Sequence, residues 1–327
     1  MGEYTARTVR PRTQALVLPV LRSSLGALGV LALLALLAGA VRIVPWLLDP
    51  SLPLAVTWVF ARSVLAYLGE AALWLALPLG VTWALYVRLE RGELQIPALL
   101  GVSESHTLRT LWPVCAAWTS VLFAVSYASG VTAREPGAVL QHLLEEGEAS
   151  CANVDTPSSQ AVPLLDAAWV CQPGVAPRLV GRSPLGGVAY VARSAAVNAE
   201  VSQIHLQDAS FLREGFTLRA QRVHLGGMRP FVASAAVPAL LRALTAVLCT
   251  LASVLGLAWL LLRRTQPCAA TLALTAGLSG PLVGMLALAA ASTHPVLGVG
   301  GALMAACVLP FVTLESAPRL WQRWRSR

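Results

Sequence analysis

Apolar residues fall into two kinds of stretch along the 327-residue chain, long uncharged runs and short alternating ones. Leu25–Val41 is uncharged, and its apolar run continues past Arg42 to Leu48. Pro45, Asp49, Pro50 and Pro53 mark a turn, and further runs cover Val64–Val87 and Leu111–Gly130. Composition changes at Val131. From there to about Ser234 charges are frequent and no run is long enough to span a bilayer. Gly187–Arg193, Val197–Leu206 and Phe216–Leu225 instead carry apolar residues at period two, punctuated by Gly, Pro, Asn and Ser. That pattern predicts a small antiparallel β domain, preceded by a short helix near Ala138–Glu146. Three more runs follow, Ala243–Leu262, Pro267–Ser292 and Pro295–Leu314. Each run has about the 20 residues that a helix needs to cross hydrocarbon. The expected fold is therefore an α-helical membrane protein with six transmembrane helices (3+3) and an antiparallel β domain inserted between helices three and four. Its parts are residues 1–130, 131–234 and 235–327.

Composition agrees with a membrane class. Hydrophobic residues make up 56% of the chain and charged residues 12%, about half the charged fraction of a soluble domain. The first run begins too late for a secretory signal and is followed by no small-residue cleavage pattern, so it is expected to stay in the protein as helix one. A net charge of +8 comes entirely from arginine; no lysine occurs. Without lysine there is neither a Walker A phosphate loop nor a Schiff-base amine, so the chain is expected to hydrolyse no nucleotide by the P-loop route. The arginines cluster at the ends of apolar runs and not on one basic face, which argues against nucleic acid. Four precede helix one, three (Arg88, Arg91 and Arg109) lie between helices two and three, two follow helix four, and four close the tail. All of these fall on one side. Helix-flanking arginine marks the cytoplasm, which puts both termini inside and the β domain outside. Cys151 and Cys171 are the two cysteines of the insert, and an oxidising compartment would let them pair. No HExxH, CxxC or Asp-rich loop is present, so no metal site is expected.

The segment between helices two and three carries the most specific signal. Arg88, Glu90, Arg91 and Glu93 crowd into six residues, followed by Leu94, Ile96, Leu99 and Leu100 before Gly101. A charged, half-apolar stretch between two spanning runs lies at the membrane surface. It offers a cytoplasmic partner charges that fix orientation and apolar groups that fill a groove.

Over Leu77–Ser103 the sequence LPLGVTWALYVRLERGELQIPALLGVS resembles the LptF/LptG permeases, the membrane subunits of the bacterial lipopolysaccharide exporter. The topology of the whole chain is similar to theirs. The resemblance implies a cytoplasmic coupling helix at about 89–101, with Glu93 in the place of the family's acidic residue and Gly101 in that of its closing glycine. Gly92 stands where the family has serine. It further implies a β-jellyroll-like insert in the periplasm of a bacterial inner membrane, and a non-catalytic subunit that needs no cofactor of its own. It implies a second LptF/LptG-type permease, a cytoplasmic ATPase subunit like LptB, and periplasmic bridge proteins like LptC and LptA. The cargo implied is lipopolysaccharide or a related glycolipid, passed through a cavity to the jellyrolls.

Arg42, Arg62 and Arg242 sit near the outer ends of their helices. There a guanidinium suits bidentate contact with a lipid phosphate, or snorkels to the headgroups, or pairs with Glu70. Arg62 and Glu70 are two helical turns apart, too far for a direct pair along one helix. A competing enzymatic reading rests on Gly277-Leu278-Ser279-Gly280, which matches the G-x-S-G of rhomboid-type intramembrane proteases. The nearest histidine, His294, lies about 15 Å further along the helix axis, and small residues in membrane helices ordinarily serve close packing. A third reading is a membrane scaffold or assembly protein without transport; the coupling stretch argues against it.

Overall fold

The computed structural model describes residues 10–47, 54–94, 96, 103–151, 154–162, 165–182, 188–199, 201–213, 216–226, 237–263, 270–290 and 295–325. Seven helices of these residues are α1 (Arg10–Leu47), α2 (Leu54–Glu90), α3 (Glu104–Thr132), α4 (Glu135–Cys151), α5 (Ala239–Arg263), α6 (Ala270–Ala290) and α7 (Pro295–Arg325). Among them α1, α2, α3, α5 and α6 are long and apolar enough to cross a membrane, while the apolar part of α7, Gly298–Leu314, is shorter. The chain is a membrane protein. The helices overrun the apolar runs read from the sequence because polar and charged residues extend them beyond the hydrocarbon, as Arg88 and Glu90 do at the end of α2.

Two compact units divide the chain. The first holds residues up to Gly39, Leu65–Gly130 and Val237 onward; the second holds Ala40–Val64 and Val131–Ala236.

In the first unit α2 is the hub. Leu77, Val81 and Leu85 of α2 form one buried cluster with Leu16 and Val20 of α1, Leu111 and Trp118 of α3, and Val254 and Ala258 of α5. The α1–α2 crossing is tight: Ser23 donates its hydroxyl to the Gly80 carbonyl (2.7 Å), and a Cβ on Gly80 would fall 2.3 Å from the Ser24 Cα. Small residues of this kind let membrane helices approach backbone to backbone. Pro78 lies inside α2, which runs unbroken through it. One turn before it, the Trp118 indole of α3 donates to the Leu73 carbonyl (3.0 Å) and ties the two helices together. Gly277 of α6 packs against Thr82 of α2, and α5, α6 and α7 pack on one another.

Beside the helix ends of Ala40–Val64, the second unit holds an antiparallel sheet with α4 packed on β1, β2 and β5. Its strands are β1 (Ser158–Val162), β2 (Ala167–Gln172), β3 (Val175–Arg182), β4 (Ala189–Ala192), β5 (Ser194–Val197), β6 (Ile204–Arg213) and β7 (Phe216–Leu225). Both β4 and β5 pair with β6, so the described strands follow one another as a meander. Buried Gly137, Leu140, Leu144, Gly147 and Cys151 make one stripe of α4, the spacing that an amphipathic helix needs to lie on a sheet. Trp169 of β2, fully buried, fills the space over Gly147. Cys151 and Cys171 are joined by a disulfide, with Cα atoms 4.9 Å apart.

Two corrections to the expected strands have plain causes. Val197–Leu206 is not one strand: β5 ends at Val197 and β6 begins at Ile204. Between them the Asn198 side chain accepts hydrogen bonds from the Ser202 and Gln203 amides (2.8 and 3.0 Å) and folds the chain into a turn. The period-two pattern ran through that turn unbroken. Strands β1 to β3 had no expectation at all, because β1 is short and mostly exposed and β3 carries Pro177. Pro177 is tolerated where the β2–β3 register shifts and before β3 begins pairing with β4 at Leu179, the kind of place where a strand proline is found.

Candidate functional site

The end of α2 builds the most distinctive local geometry. Gly92 has φ +71°, its N–H donates to the Leu89 carbonyl (3.1 Å), and the Glu93 N–H donates to the Arg88 carbonyl (2.9 Å). This is a Schellman cap, which needs a left-handed residue at its glycine position. It explains why glycine stands where the resembled family has serine. The cap brings the Glu93 carboxylate to 3.8 Å from Arg88 Nε and 3.9 Å from Arg91 Nη1. Arg88 is mostly covered; Arg91 (68% exposed) and Glu93 (47%) face outward.

The expected coupling helix at 89–101 is therefore corrected at its start. Leu89 and Glu90 are the last residues of α2, and Arg91–Leu94 turn. The cause is the same left-handed glycine, which an α-helix cannot continue through. Leu94, expected to fill a partner's groove, packs on the cluster around Leu85 and Leu111. Ile96 is exposed. Leu99, Leu100 and Gly101 lie outside the described residues.

Beside this cap a cavity of about 760 Å³ opens between α1 and α2, with Leu274 of α6 on its wall. Arg22, Arg88, Arg91 and Glu93 are among its lining residues, with Ala27, Val30 and Leu31 of α1 and Leu79, Trp83 and Val87 of α2. The sequence reading passed over Arg22 as one of the topology arginines. Arg22 neighbours Ser23, which meets Gly80 of α2 at the crossing.

The three arginines expected at lipid phosphates go to different places. Arg242 lies on α5 with its side chain only 2% exposed, paired with Glu70 of α2, itself 3% exposed. Nε donates to Glu70 Oε1 (3.0 Å), Nη2 reaches Oε2, and Nη2 also donates to Ser129 Oγ (3.2 Å). The Tyr67 ring lies 5.7 Å from the guanidinium. Gly130 allows this, since a Cβ there would fall 2.8 Å from Ala239 at the start of α5. An intramembrane arginine needs such a partner; the sequence separation of Glu70 and Arg242 hid it. Arg62, as the two-turn spacing required, does not pair with Glu70 and bridges Glu135 at the start of α4 instead. Arg42 lies in α1, and its side chain is outside the described residues.

Ser279, the nucleophile of the protease reading, donates to the Ala276 carbonyl (3.0 Å), and His294 is outside the described residues. Among the described residues no group of three or more His, Cys, Asp and Glu side chains could hold a metal. No family model matches the chain, and no curated protein matches it.

Proposed function

We propose that the chain is a permease subunit of an LptF/LptG-type exporter of lipopolysaccharide or a related glycolipid, driven by ATP that a separate cytoplasmic subunit hydrolyses. The observation that carries the reading is the capped end of α2, which holds Arg91 and Glu93 outward on the arginine-rich side of the membrane. A chain without a phosphate loop must borrow its ATPase, and a rigid charged corner at a helix end is a surface on which one can dock. The resemblance over Leu77–Ser103 supports the same assignment. In this reading the arginine-rich side is cytoplasmic and the disulfide-bonded β unit is periplasmic, where it plays the part of the family's jellyroll. The partners are an LptB-like ATPase, a second LptF/LptG-type permease, and LptC- and LptA-like bridge proteins.

The direct test is affinity purification of the tagged chain from native membranes. Recovery of a vanadate-sensitive ATPase and a second multi-span subunit in fixed stoichiometry is expected. Purification of the chain alone, with no ATPase activity in any mild detergent, would leave the scaffold reading in its place.

A further inference from the structure

The long β6–β7 hairpin carries a histidine pair that no short motif announces. His205 of β6 and His224 of β7 are register partners, nineteen positions apart in sequence. Their rings lie edge to face, with centroids 4.4 Å apart and planes at 83°. The two Nδ1 atoms meet in a hydrogen bond. The flanking Ile204, Leu206, Val223 and Leu225 belong to the core cluster or pack against it. Alternation along a strand therefore sends both imidazoles to the opposite, outer face. His224 is exposed and His205 half-buried. Ala196 of β5, the other register partner of His205, offers no polar side chain to either ring.

Between two neutral imidazoles, one Nδ1–H donates to the lone pair of the other Nδ1, whichever ring is the donor. The same arrangement suits a metal ion. Imidazole nitrogens bind Zn²⁺ at about 2.0–2.1 Å, which sets two ligands on one ion about 3 Å apart. Adjacent Nδ1 atoms reach that spacing by a slight opening of the rings. The ion takes the place of the bridging proton, which moves to Nε2 of the same ring, so both rings stay neutral. The surroundings select the ion. Among the described residues no third His, Cys, Asp or Glu joins the pair, and Arg222 stands one same-face position along β7. No carboxylate supplies charge attraction, which disfavours Ca²⁺ and Mg²⁺, ions that need oxygen ligands. Imidazole suits Cu²⁺, Ni²⁺ and Zn²⁺, and Cu²⁺ is bound most tightly of the divalent first-row series.

We infer that His205 and His224 form a two-histidine site for a late first-row divalent metal ion, Cu²⁺ above Ni²⁺ and Zn²⁺, with water in the remaining positions. Among the described strands β7 pairs with β6 alone. The histidines stand at the end of that ladder away from the Arg213–Phe216 turn. A bound ion clips this open end as the turn closes the other. The site lies wholly within the β unit, and it stands whether the chain is a permease or a scaffold.

The test uses the full chain in micelles, carrying no polyhistidine tag, with CuCl₂ added below one equivalent. Electron paramagnetic resonance should show two imidazole nitrogens on the ion. Calorimetric titration with NiCl₂ should give a site whose affinity falls at least tenfold in His205→Asn and in His224→Asn alike. His142→Asn, on an exposed position of α4, should keep it. Both substitutions fall on the outer face, so the variants should match the parent by circular dichroism. Hydrogen exchange gives a second reading: Ni²⁺ should slow residues 204–206 and 223–225 in the parent and not in the variants. A single nitrogen on copper, or a nickel affinity that neither substitution changes, would overturn the inference. So would Ca²⁺ binding as strongly as Ni²⁺, which would show a site built on oxygen. Exchange at the hairpin end that bound Ni²⁺ leaves unchanged would overturn the clip.

Discussion

Arg242 of α5 grips Glu70 of α2 through two hydrogen bonds, in a place where neither side chain is more than a few percent exposed. The pair joins helices that lie 172 positions apart in sequence, and Ser129 of α3 is drawn into it. Three helices of the membrane unit are thereby fixed at one depth. Removing one member leaves the other charge buried and alone, which costs about 3–5 kcal/mol, whereas replacing both by apolar groups of similar size is near neutral. Glu70→Ala and Arg242→Ala are each expected to unfold far more readily in micelles than the parent chain. The double variant Glu70→Leu/Arg242→Met should recover most of the loss in a chemical denaturation series.

The α1–α2 crossing gives a second contrast. A methyl group on Gly80 would meet Ser24 backbone atoms at 2.3–2.4 Å, while Gly69 on the same helix has nothing within 4 Å. Overpacking costs about 1–3 kcal/mol, and a Gly→Ala change inside a helix gains about 0.8–1 kcal/mol in propensity. Gly80→Ala should therefore destabilise the membrane unit and loosen α1, and Gly69→Ala should be neutral or stabilising. Cysteine cross-linking between α1 and α2, read beside thermal stability, separates the two.

The disulfide between Cys151 and Cys171 ties the last turn of α4 to β2, the strand that carries the core residue Trp169. Closing a loop of this size stabilises by about 3 kcal/mol in the chain-entropy account. Reduction should speed hydrogen exchange in α4 and in β1 to β3 and leave α2 and α5 unchanged. Uniform exchange before and after reduction would show that the bond contributes nothing.

Burial, and then the nearby Asp166 carboxylate, raise the Tyr190 phenol above its ordinary value of 10. The folded β unit thus holds this proton more tightly than the unfolded chain does. Below pH 10 both states are protonated and the contribution is intact. It is lost as pH rises from 10 through the folded value, because the unfolded state ionises first. Tyr190 Oη has no hydrogen-bond partner among the described residues, so Tyr190→Phe should leave neutral-pH stability unchanged or slightly higher. It should also remove the alkaline step from a pH series of β-unit protection.

How much could be read from the residues follows from which forces are local. Five of the six expected spanning runs were legible because bilayer thickness dictates their length, while the apolar part of the last, Gly298–Leu314, is shorter; β7 was read to the residue because its ten positions carry no turn. The Pro173-Gly174 turn between β2 and β3 was also written in the chain, with Gly174 at φ +72°, but the short strands around it are flanked by small residues that carry no period. Glu70–Arg242 was illegible for another reason: a pair between distant helices leaves no spacing signature. The cavity needed the α1–α2 crossing, which depends on Ser24 meeting Gly80.

The outward pair at the α2 cap allows folding and coupling to be told apart. Gly92 holds the cap through backbone hydrogen bonds that do not involve the Glu93 side chain. The ion pairs of Glu93 with Arg88 and Arg91 are long, and two of the three side chains are well exposed, so on folding they contribute less than about 1 kcal/mol. Glu93→Arg should therefore insert and fold normally. If Glu93 meets a charged partner on the ATPase, the same change removes an attraction and adds a repulsion, at about 2–5 kcal/mol for a desolvated contact. ATP hydrolysis by the purified assembly should fall at least tenfold with Glu93→Arg and less with Glu93→Gln. Gly92→Ser should act the other way round. It forces a side chain into a left-handed backbone at about 1–2 kcal/mol, lowering stability and displacing Glu93 together. Normal hydrolysis and lipid release by Glu93→Arg at normal expression would remove this corner from the coupling surface, and with it the observation on which the permease reading rests.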